Sequence, residues 1–290
     1  MTPLARLLAA AALAALAFPL AFPAAAQPVD TLGRIKAAKA INVAFAGDSM
    51  PFAHVGREQR PEGYAIDLCG KVIAGIARAV GEPDLKVNWR IGTTAERLAM
   101  VADGRAELEC GNTTPTLGRM KSVDFGALVF VDAGGVLVRR DGGIADLRGL
   151  AGKRVAVIAG TTTEQRLAAA LKERRIAAEV IRVREAAEGM ALLAARSADA
   201  FASDKVKLVG AAVQTNNPQA WVVLDDILSF EPYAFAVPRN DTAFRAEVNR
   251  ALAQAYAGGD LDAIYKRWFS AFGAPSQLLV HMYLLNAVQE

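Results

Sequence analysis

Short apolar, β-branched runs alternate with amphipathic helical stretches along most of this 290-residue chain. The run 154–158 (RVAVI) is typical of a buried strand, whereas residues 65–80 place apolar side chains at helical spacing. Strands that alternate with helices predict an α/β architecture. Further strands are predicted at 41–45, 85–91, 106–110, 179–183, 200–202, 221–224 and 234–237. Further helices are predicted at 31–39, 93–103, 163–173, 185–197, 205–212, 244–256 and 261–269.

The first 26 residues have the pattern of a secretory signal peptide. Arg6 is the only charge before the Ala/Leu-rich run 7–22, and the small residues 24–26 (AAA) follow. A membrane anchor is the alternative, but the prolines in and after the run and the A-x-A ending favour cleavage after Ala26. We therefore expect an exported, soluble protein in the periplasm.

Composition excludes several classes of protein. The formal net charge is only +3, and no Lys/Arg-rich run is present, so nucleic-acid binding is not expected. The two histidines, His54 and His281, are far apart in sequence, which argues against a metal site and a histidine-based catalytic triad. Cys69 and Cys110 could form a disulfide in an oxidising compartment or could be buried as two small apolar residues. No cofactor and no catalytic residue is expected.

One short segment, 109–119 (ECGNTTPTLGR), collects groups that bind a small acid. Asn112 and Thr114 offer an amide and a hydroxyl, and the Arg119 guanidinium can hold a carboxylate with two parallel hydrogen bonds. An ordinary loop with a surface arginine is the alternative.

Other candidates lie where predicted strands end. Thr93 and Glu96 have capping-box spacing, which places Arg97 in the first turn of a helix, although it could be an ordinary exposed arginine. Thr162 opens another helix with Thr161 and Glu164, and exposed N–H groups there can bind an anion or simply be capped. Asp204 follows a predicted strand and could take an ammonium group. Together, Asp204 and Arg119 would clamp the two charges of an amino acid.

These segments together resemble the family 3 extracellular solute-binding proteins, the periplasmic receptors of polar amino-acid ABC transporters, and most of all the glutamate/aspartate-binding branch. The resemblance covers essentially the whole chain after residue 26. It is carried by the segments 31–36 (TLGRIK), 51–52 (PF), 63–69 (GYAIDLC), 109–114 (ECGNTT), 119–125 (RMKSVDF), 160–162 (GTT) and 266–269 (KRWF), and by Asp204.

The resemblance implies a type II periplasmic binding protein fold, with a ligand cleft between two lobes joined by two hinge strands. The extended segments 128–138 and 232–238 are the candidate hinges. The implied division is a signal peptide at 1–26, a first lobe at 27–133 and 235–290, and a second lobe at 134–234. The segment 274–290 could pack on the first lobe or meet a partner, and packing is favoured.

The resemblance also assigns roles by position. Arg119 would hold the ligand α-carboxylate and Asp204 the α-ammonium, while Arg97 would reach a side-chain carboxylate. Asn112, Thr114 and Thr162 would supply further contacts to the ligand.

Two departures from the acidic-amino-acid branch concern the ligand side chain. Ala46 stands where that branch has a second arginine, and Ala186 stands near its histidine. Asp48 lies close to the first of these and could oppose a second carboxylate. The ligand is therefore expected to be an amino acid, either acidic or another polar or neutral one.

The expected function is capture of that amino acid by a monomeric protein and its delivery to a membrane permease. The alternative is a periplasmic enzyme on the same fold, of the cyclohexadienyl or arogenate dehydratase type. Such an enzyme needs a positioned acid or base, and with Ala186 in place of histidine the binding protein is favoured.

Overall fold

The computed structural model describes residues 30–56 and 58–288, so the predicted signal peptide lies outside the described residues. Within these two ranges, no helix is both long enough and apolar enough to cross a membrane.

Twelve strands are present in the described part of the chain, in two sheets. They are β1 (Ala40–Phe45), β2 (Asp48–Ser49), β3 (Ala53–Val55), β4 (Pro61–Glu62), β5 (Lys86–Ile91), β6 (Leu108–Glu109), β7 (Val123–Arg139), β8 (Arg154–Ile158), β9 (Glu179–Val183), β10 (Ala200–Asp204), β11 (Trp221–Val223) and β12 (Ser229–Pro238).

Nine α-helices of the described residues cover the sheets. They are α1 (Thr31–Ala38), α2 (Tyr64–Val80), α3 (Thr94–Ala102), α4 (Thr162–Glu173), α5 (Ala186–Ala194), α6 (Lys205–Val213), α7 (Thr242–Ala257), α8 (Asp260–Phe269) and α9 (Gln277–Asn286).

The main sheet runs through both lobes in the order β5-β1-β6-β12-β7-β10-β8-β9, with β11 paired beside β7. In the first lobe β5, β1 and β6 are parallel, and in the second lobe β10, β8 and β9 are parallel. The long strands β7 and β12 pair antiparallel between them and cross from one lobe to the other. The α/β, two-lobed architecture predicted from the sequence is thus confirmed, with β7 and β12 as the connecting strands.

Separate hydrophobic cores form on the two sides of these crossings. The larger core includes α2, α7 and α8 and is built around the aromatic rings of Phe52, Tyr64 and Phe130. Two further cores lie on the faces of the second-lobe strands, one around Leu167 and one around Phe201. The lobe boundaries at 133/134 and 234/235 stay a prediction.

Several elements differ in length from the sequence expectation. The strand predicted at 106–110 is reduced to β6, because only Val43 and Ala44 of β1 and Ala236 of β12 pair with it. The crossing predicted at 128–138 extends over all of Val123–Arg139. The small sheet β2-β3-β4 lies where a loop was expected at 48–52, since strands of two or three residues leave almost no periodic signal.

Cys69 and Cys110 form a disulfide, with Cα atoms 6.0 Å apart. The bond joins α2 to the residue that follows β6, and both cysteines are fully buried. It therefore ties the start of the predicted acid-binding segment to the core of the first lobe.

The C-terminal segment packs on the first lobe as far as it is described. Leu279 and Met282 of α9 enter the larger core, and the Tyr283 hydroxyl lies 2.8 Å from that of Tyr64. Packing on the first lobe, the alternative favoured from the sequence, is thus the one observed. Residues 289–290 lie outside the described residues.

Candidate functional site

The carboxyl ends of the parallel strands in the two lobes face one another across a cleft. In α/β sheets this is the edge where ligands bind, because loops and helix N-termini present their free polar groups there. From the first lobe, β5 leads into Thr93–Arg97 and β6 into residues 110–119. From the second lobe, β8 leads into Thr162 and β10 ends at Asp204.

The polar groups predicted to hold the two charges of an amino acid meet in this cleft. We call them the clamp end, which consists of Asn112, Thr114, Arg119, Thr162 and Asp204. The Asn112 amide donates to Asp204 Oδ2 at 3.1 Å, so the two lobes touch directly here.

Arg119 is held from both lobes. Its Nη1 donates to the Thr114 carbonyl at 2.7 Å and its Nη2 to the Gly160 carbonyl at 3.4 Å. Burial lowers the pKa of the guanidinium from its ordinary value, while the charges of Glu109 and Glu231 act in the opposite direction. Arginine stays protonated in proteins, so Arg119 is a permanent, partly desolvated cation in the cleft.

Asp204 is a buried carboxylate with mostly uncharged partners. Besides Asn112, its Oδ1 accepts from the Thr163 hydroxyl at 3.0 Å, and the Lys207 ammonium lies 3.8 Å from Oδ2. A buried anion with this incomplete pairing is suited to bind an ammonium group.

Glu231 of the crossing strand β12 connects the two threonines of the clamp end. Its Oε2 accepts from the Thr114 hydroxyl at 2.5 Å and from the Thr162 hydroxyl at 2.7 Å, and its Oε1 accepts from Ser229. Each threonine hydroxyl has one proton and gives it to the carboxylate. Both threonine oxygens therefore present lone pairs, so they are acceptors for a cationic group.

Arg97 forms a buried ion pair with a carboxylate of its own lobe. Its Nε donates to Glu109 Oε1 at 2.8 Å, and both side chains are almost fully excluded from solvent. The guanidinium also donates to the Gly92 carbonyl at 2.9 Å and to the Thr113 hydroxyl at 3.2 Å. Arg97 lines the cleft, but most of its donors are already used within the first lobe.

Helix capping explains where α3 and α4 begin. At α3, Thr93 and Glu96 form the predicted capping box in full. At α4, Thr161 accepts from the Glu164 backbone as predicted, but the Glu164 carboxylate accepts from the Gly160 N–H instead of from Thr161. Gly160 itself has a positive φ of 74°, a left-handed backbone conformation that favours glycine.

Beyond the clamp end, the cleft contains a cavity of about 680 Å³, which we call the side-chain end. Both lobes contribute to its polar wall, which includes Asp48, Ser49, Thr93, Thr94, Glu96, Arg97, Arg184 and Lys207.

Ala46 and Ala186, at which the sequence departs from the acidic-amino-acid branch, lie near this cavity, and each has only a methyl group as its side chain. Ala46 packs among buried apolar residues of the first lobe, and Ala186 begins α5. The Asp48 carboxylate accepts from the Ala186 N–H at 2.7 Å, across the lobes. The negative charge of Asp48 thus caps a helix N-terminus, a favourable position for an anion.

A second buried carboxylate lies behind Asp204. Asp132 of β7 accepts from the backbone of Ala133 and Val206 and from the Tyr233 hydroxyl. Burial, together with the nearby Asp204 charge, raises the pKa of Asp132 to about 7. The crossing strand therefore carries a carboxyl group that changes charge near neutral pH.

Comparison with known proteins identifies the family. Residues 41–271 match the model of the bacterial extracellular solute-binding proteins, family 3. The chain belongs to this family. It is therefore a solute-binding protein.

Two relatives of this family 3 protein are similar along most of their length. The L-glutamate/L-aspartate-binding protein of Pseudomonas aeruginosa is 34% identical over 83% of this chain and 80% of its own. The glutamate/aspartate import solute-binding protein of Escherichia coli is 27% identical over 90% of this chain and 86% of its own.

A solved structure has the same fold. An ancestral amino acid-binding protein, a precursor of cyclohexadienyl dehydratase, superimposes with a TM-score of 0.71 and 27% identity, covering 83% of this chain and all of that one.

The structure brings all six predicted site residues of this family 3 protein to the cleft. Sequence reasoning missed four charged residues there: Glu109, Asp132, Lys207 and Glu231. Glu109 could have been suspected, since it is an acidic residue in the predicted strand 106–110 and the first residue of the predicted acid-binding segment. Glu231 lies one residue before the predicted crossing strand, and its partners are 117 and 69 residues away in sequence.

Proposed function

We propose that this protein binds a free α-amino acid between its lobes and delivers it to the permease of an ABC transporter. The observation that carries the proposal is the meeting of Arg119 and Asp204, from opposite lobes, beside two hydroxyls whose oxygens face the cleft as acceptors. The names of the relatives support the same function, because they bind or import amino acids.

The chemistry of the clamp end fits a zwitterion. The α-carboxylate would lie against the Arg119 guanidinium, whose remaining N–H groups can form a bidentate pair. The α-ammonium would bind Asp204, with the oxygens of Thr114 and Thr162 as further acceptors. Asn112 would hold Asp204 in place. A compound lacking either charge would leave a buried group unpaired, which costs more than a missing surface contact.

Binding would also hold the lobes together. Arg119 and Asp204 belong to different lobes, so one ligand contacts both and stabilises the closed arrangement. A permease could then distinguish loaded from empty protein by the relative position of the lobes.

The location and partners follow from the same proposal. The segment 1–26 would direct export and be removed, and the mature protein would act as a monomer in the periplasm. The permease is its protein partner, and the modest net charge supports no role for nucleic acid.

Isothermal titration of the purified mature protein with each of the twenty amino acids tests this function. Thermal unfolding should show the same ligand, because a compound that binds only the folded state raises its melting temperature. The proposal requires saturable, one-to-one binding of at least one amino acid. It also requires weaker binding of that compound after decarboxylation or N-acetylation. Absence of any binding would refute it.

The enzymatic alternative is tested on the same samples. A dehydratase would release water and, from prephenate or arogenate, carbon dioxide, so products would accumulate during incubation. In the described residues the histidines lie in β3 and α9, outside the clamp end. We expect the bound amino acid to be recovered unchanged.

A further inference from the structure

Lys207 is a buried cation with few partners at the side-chain end. It lies in the first turn of α6, and its side chain is only 9% exposed. A lysine ammonium can donate three hydrogen bonds. Among the described residues, the recorded polar partner of this ammonium is Asp204, at 3.8 Å, which is beyond hydrogen-bond distance.

The other cations lining this cavity are already paired. Arg97 is bound to Glu109, Arg184 donates to Glu96 at 3.2 Å, and Arg105 pairs with an exposed aspartate. Of the four positively charged residues in the cavity wall, Lys207 is the buried one whose nearest recorded carboxylate, that of Asp204 at 3.8 Å, is too far away for a hydrogen bond. Burying a cation is unfavourable unless it is paired, so this position favours an anionic group in the cavity.

The acidic side chains nearby do not supply this anionic group. Asp48 is turned to the N-terminus of α5, and Glu96 caps α3 and pairs with Arg184. Glu185 is exposed on the second lobe. An anion supplied by a ligand would thus meet Lys207 from one lobe and the edge of the Arg97 guanidinium from the other.

We propose that Lys207 is the residue that binds the side-chain carboxylate of a dicarboxylic amino acid and so determines specificity. This inference rests on the proposed amino-acid-binding function. Lys207 would compensate for the alanines at 46 and 186. Its positive charge enters the cavity from α6 instead of from the loop before β2 or from the start of α5. Arg97 lies on the opposite wall and would contribute the guanidinium N–H groups that are not bound within the first lobe.

A structural role makes a different prediction. If Lys207 only neutralises Asp204, its removal changes the α-ammonium site, which every amino acid uses. Acidic and amide ligands would then lose affinity by the same factor. If Lys207 binds the side-chain carboxylate, the loss is confined to ligands that carry this carboxylate.

The test is titration of wild-type protein and the Lys207→Met variant with glutamate, glutamine, aspartate and asparagine. For wild type we expect an acidic ligand to bind more tightly than its amide. In Lys207→Met the acidic ligand should lose at least about tenfold in affinity, the scale of a lost charged hydrogen bond, while its amide changes less than about threefold. Lys207→Arg, which keeps the charge, should retain part of the preference.

Lys205→Met is the matched control. Lys205 lies on the same helix, but its ammonium donates to the Asp225 carbonyl at 2.9 Å, away from the cavity. Its loss removes the same charge and should leave the acid-to-amide ratio unchanged. Circular dichroism confirms that each variant is folded, and Lys207→Gln replaces Lys207→Met if that variant does not fold.

The outcomes separate the two proposals. An equal loss for acidic and amide ligands, or a wild-type preference for amides, overturns the role of Lys207 and leaves amino-acid binding intact. Failure of wild-type protein to bind any amino acid overturns both.

Discussion

The clamp end and the side-chain end of the cleft are organised differently. At the clamp end, polar contacts cross between lobes: Asn112 binds Asp204, and Glu231 holds a threonine from each side. At the side-chain end, Asp48 and Glu96 also make contacts across the lobes, but Arg97 is paired within the first lobe and Lys207 lies beside an aspartate of the second. The groups that would read the constant part of an amino acid are mutually connected, whereas those that would read its side chain are held separately.

We therefore expect the clamp end to determine the affinity for every amino acid and the side-chain end to determine the selectivity among them. A change at the clamp end disturbs contacts shared by both lobes, so it should weaken every ligand together. A change at the side-chain end alters one wall and should re-rank ligands without abolishing binding. The following variants test each half of that statement.

The largest effect is expected for Arg119→Ala. It removes the cation that we propose for the α-carboxylate and would leave that carboxylate buried and unpaired, which costs about 4 kcal/mol, or roughly a thousandfold in affinity. Titration calorimetry should show the loss for acidic and neutral amino acids alike. Arg148→Ala, an exposed arginine of the second lobe, is the control and should bind normally. Unchanged affinity in Arg119→Ala would remove Arg119 from the clamp end.

Glu109→Gln should have the next largest effect, on stability. Glu109 is fully buried, and its charge is the recorded partner of the Arg97 guanidinium. Removing one member of a buried pair leaves the other uncompensated, which lowers the free energy of unfolding by about 3 kcal/mol. Urea denaturation of the wild-type and variant proteins measures this loss in the free energy of unfolding.

The exposed pair Arg105–Asp103 provides the comparison for that variant. Asp103→Asn should change the free energy of unfolding by less than about 1 kcal/mol, because exposed ion pairs contribute little. Equal effects of Glu109→Gln and Asp103→Asn would show that the Arg97–Glu109 pair does not support the first lobe. Arg97 would then be available for ligand.

Local chemistry made part of the cleft predictable from sequence. Capping spacing located the start of α3 and therefore Arg97, and the order of polar groups after β6 and β8 located Arg119 and Thr162. These inferences need only the chain within a few residues of each group, where geometry follows from helix and turn rules.

Partners distant in sequence could not be predicted in this way. The helix containing Lys207 was expected at 205–212, but which face of its first turn meets the cleft depends on how the lobes close. Glu231 meets Thr114 and Thr162 only because β12 crosses between them. The alternation that revealed an α/β fold carries no information on the short sheet β2-β3-β4, which brings Asp48 to α5.

Glu231→Ala tests whether the clamp end acts as one unit. Loss of the carboxylate frees two hydroxyl protons, so Thr114 and Thr162 no longer present only lone pairs to an ammonium group. We expect a loss of about tenfold, or roughly 1.4 kcal/mol, that is equal for all amino acids that bind. Glu231→Gln, whose amide oxygen still accepts, should recover most of the affinity. A loss confined to acidic ligands would instead assign Glu231 to the side-chain end.

The last effect, which is small over any single pH unit, concerns Asp132, a carboxyl group that connects the clamp end to pH. Its pKa is raised from 3.8 to about 7 in the folded protein, by burial and by Asp204, so the folded state holds a proton that the unfolded state has released. Between about pH 4 and pH 7 the unfolded chain therefore binds fewer protons, and stability falls as pH rises through this window. Asp132→Asn cannot ionise and should remove this contribution, which is on the order of 1 kcal/mol for each pH unit within the window. Urea unfolding of both proteins at several pH values measures the difference.

Asp141→Asn, at an exposed site where Arg196 lowers the pKa of the aspartate, is the control and should keep the wild-type slope of stability against pH in this window. If Asp132→Asn also keeps that slope, Asp132 is ionised throughout this window, and a second negative charge lies near Asp204.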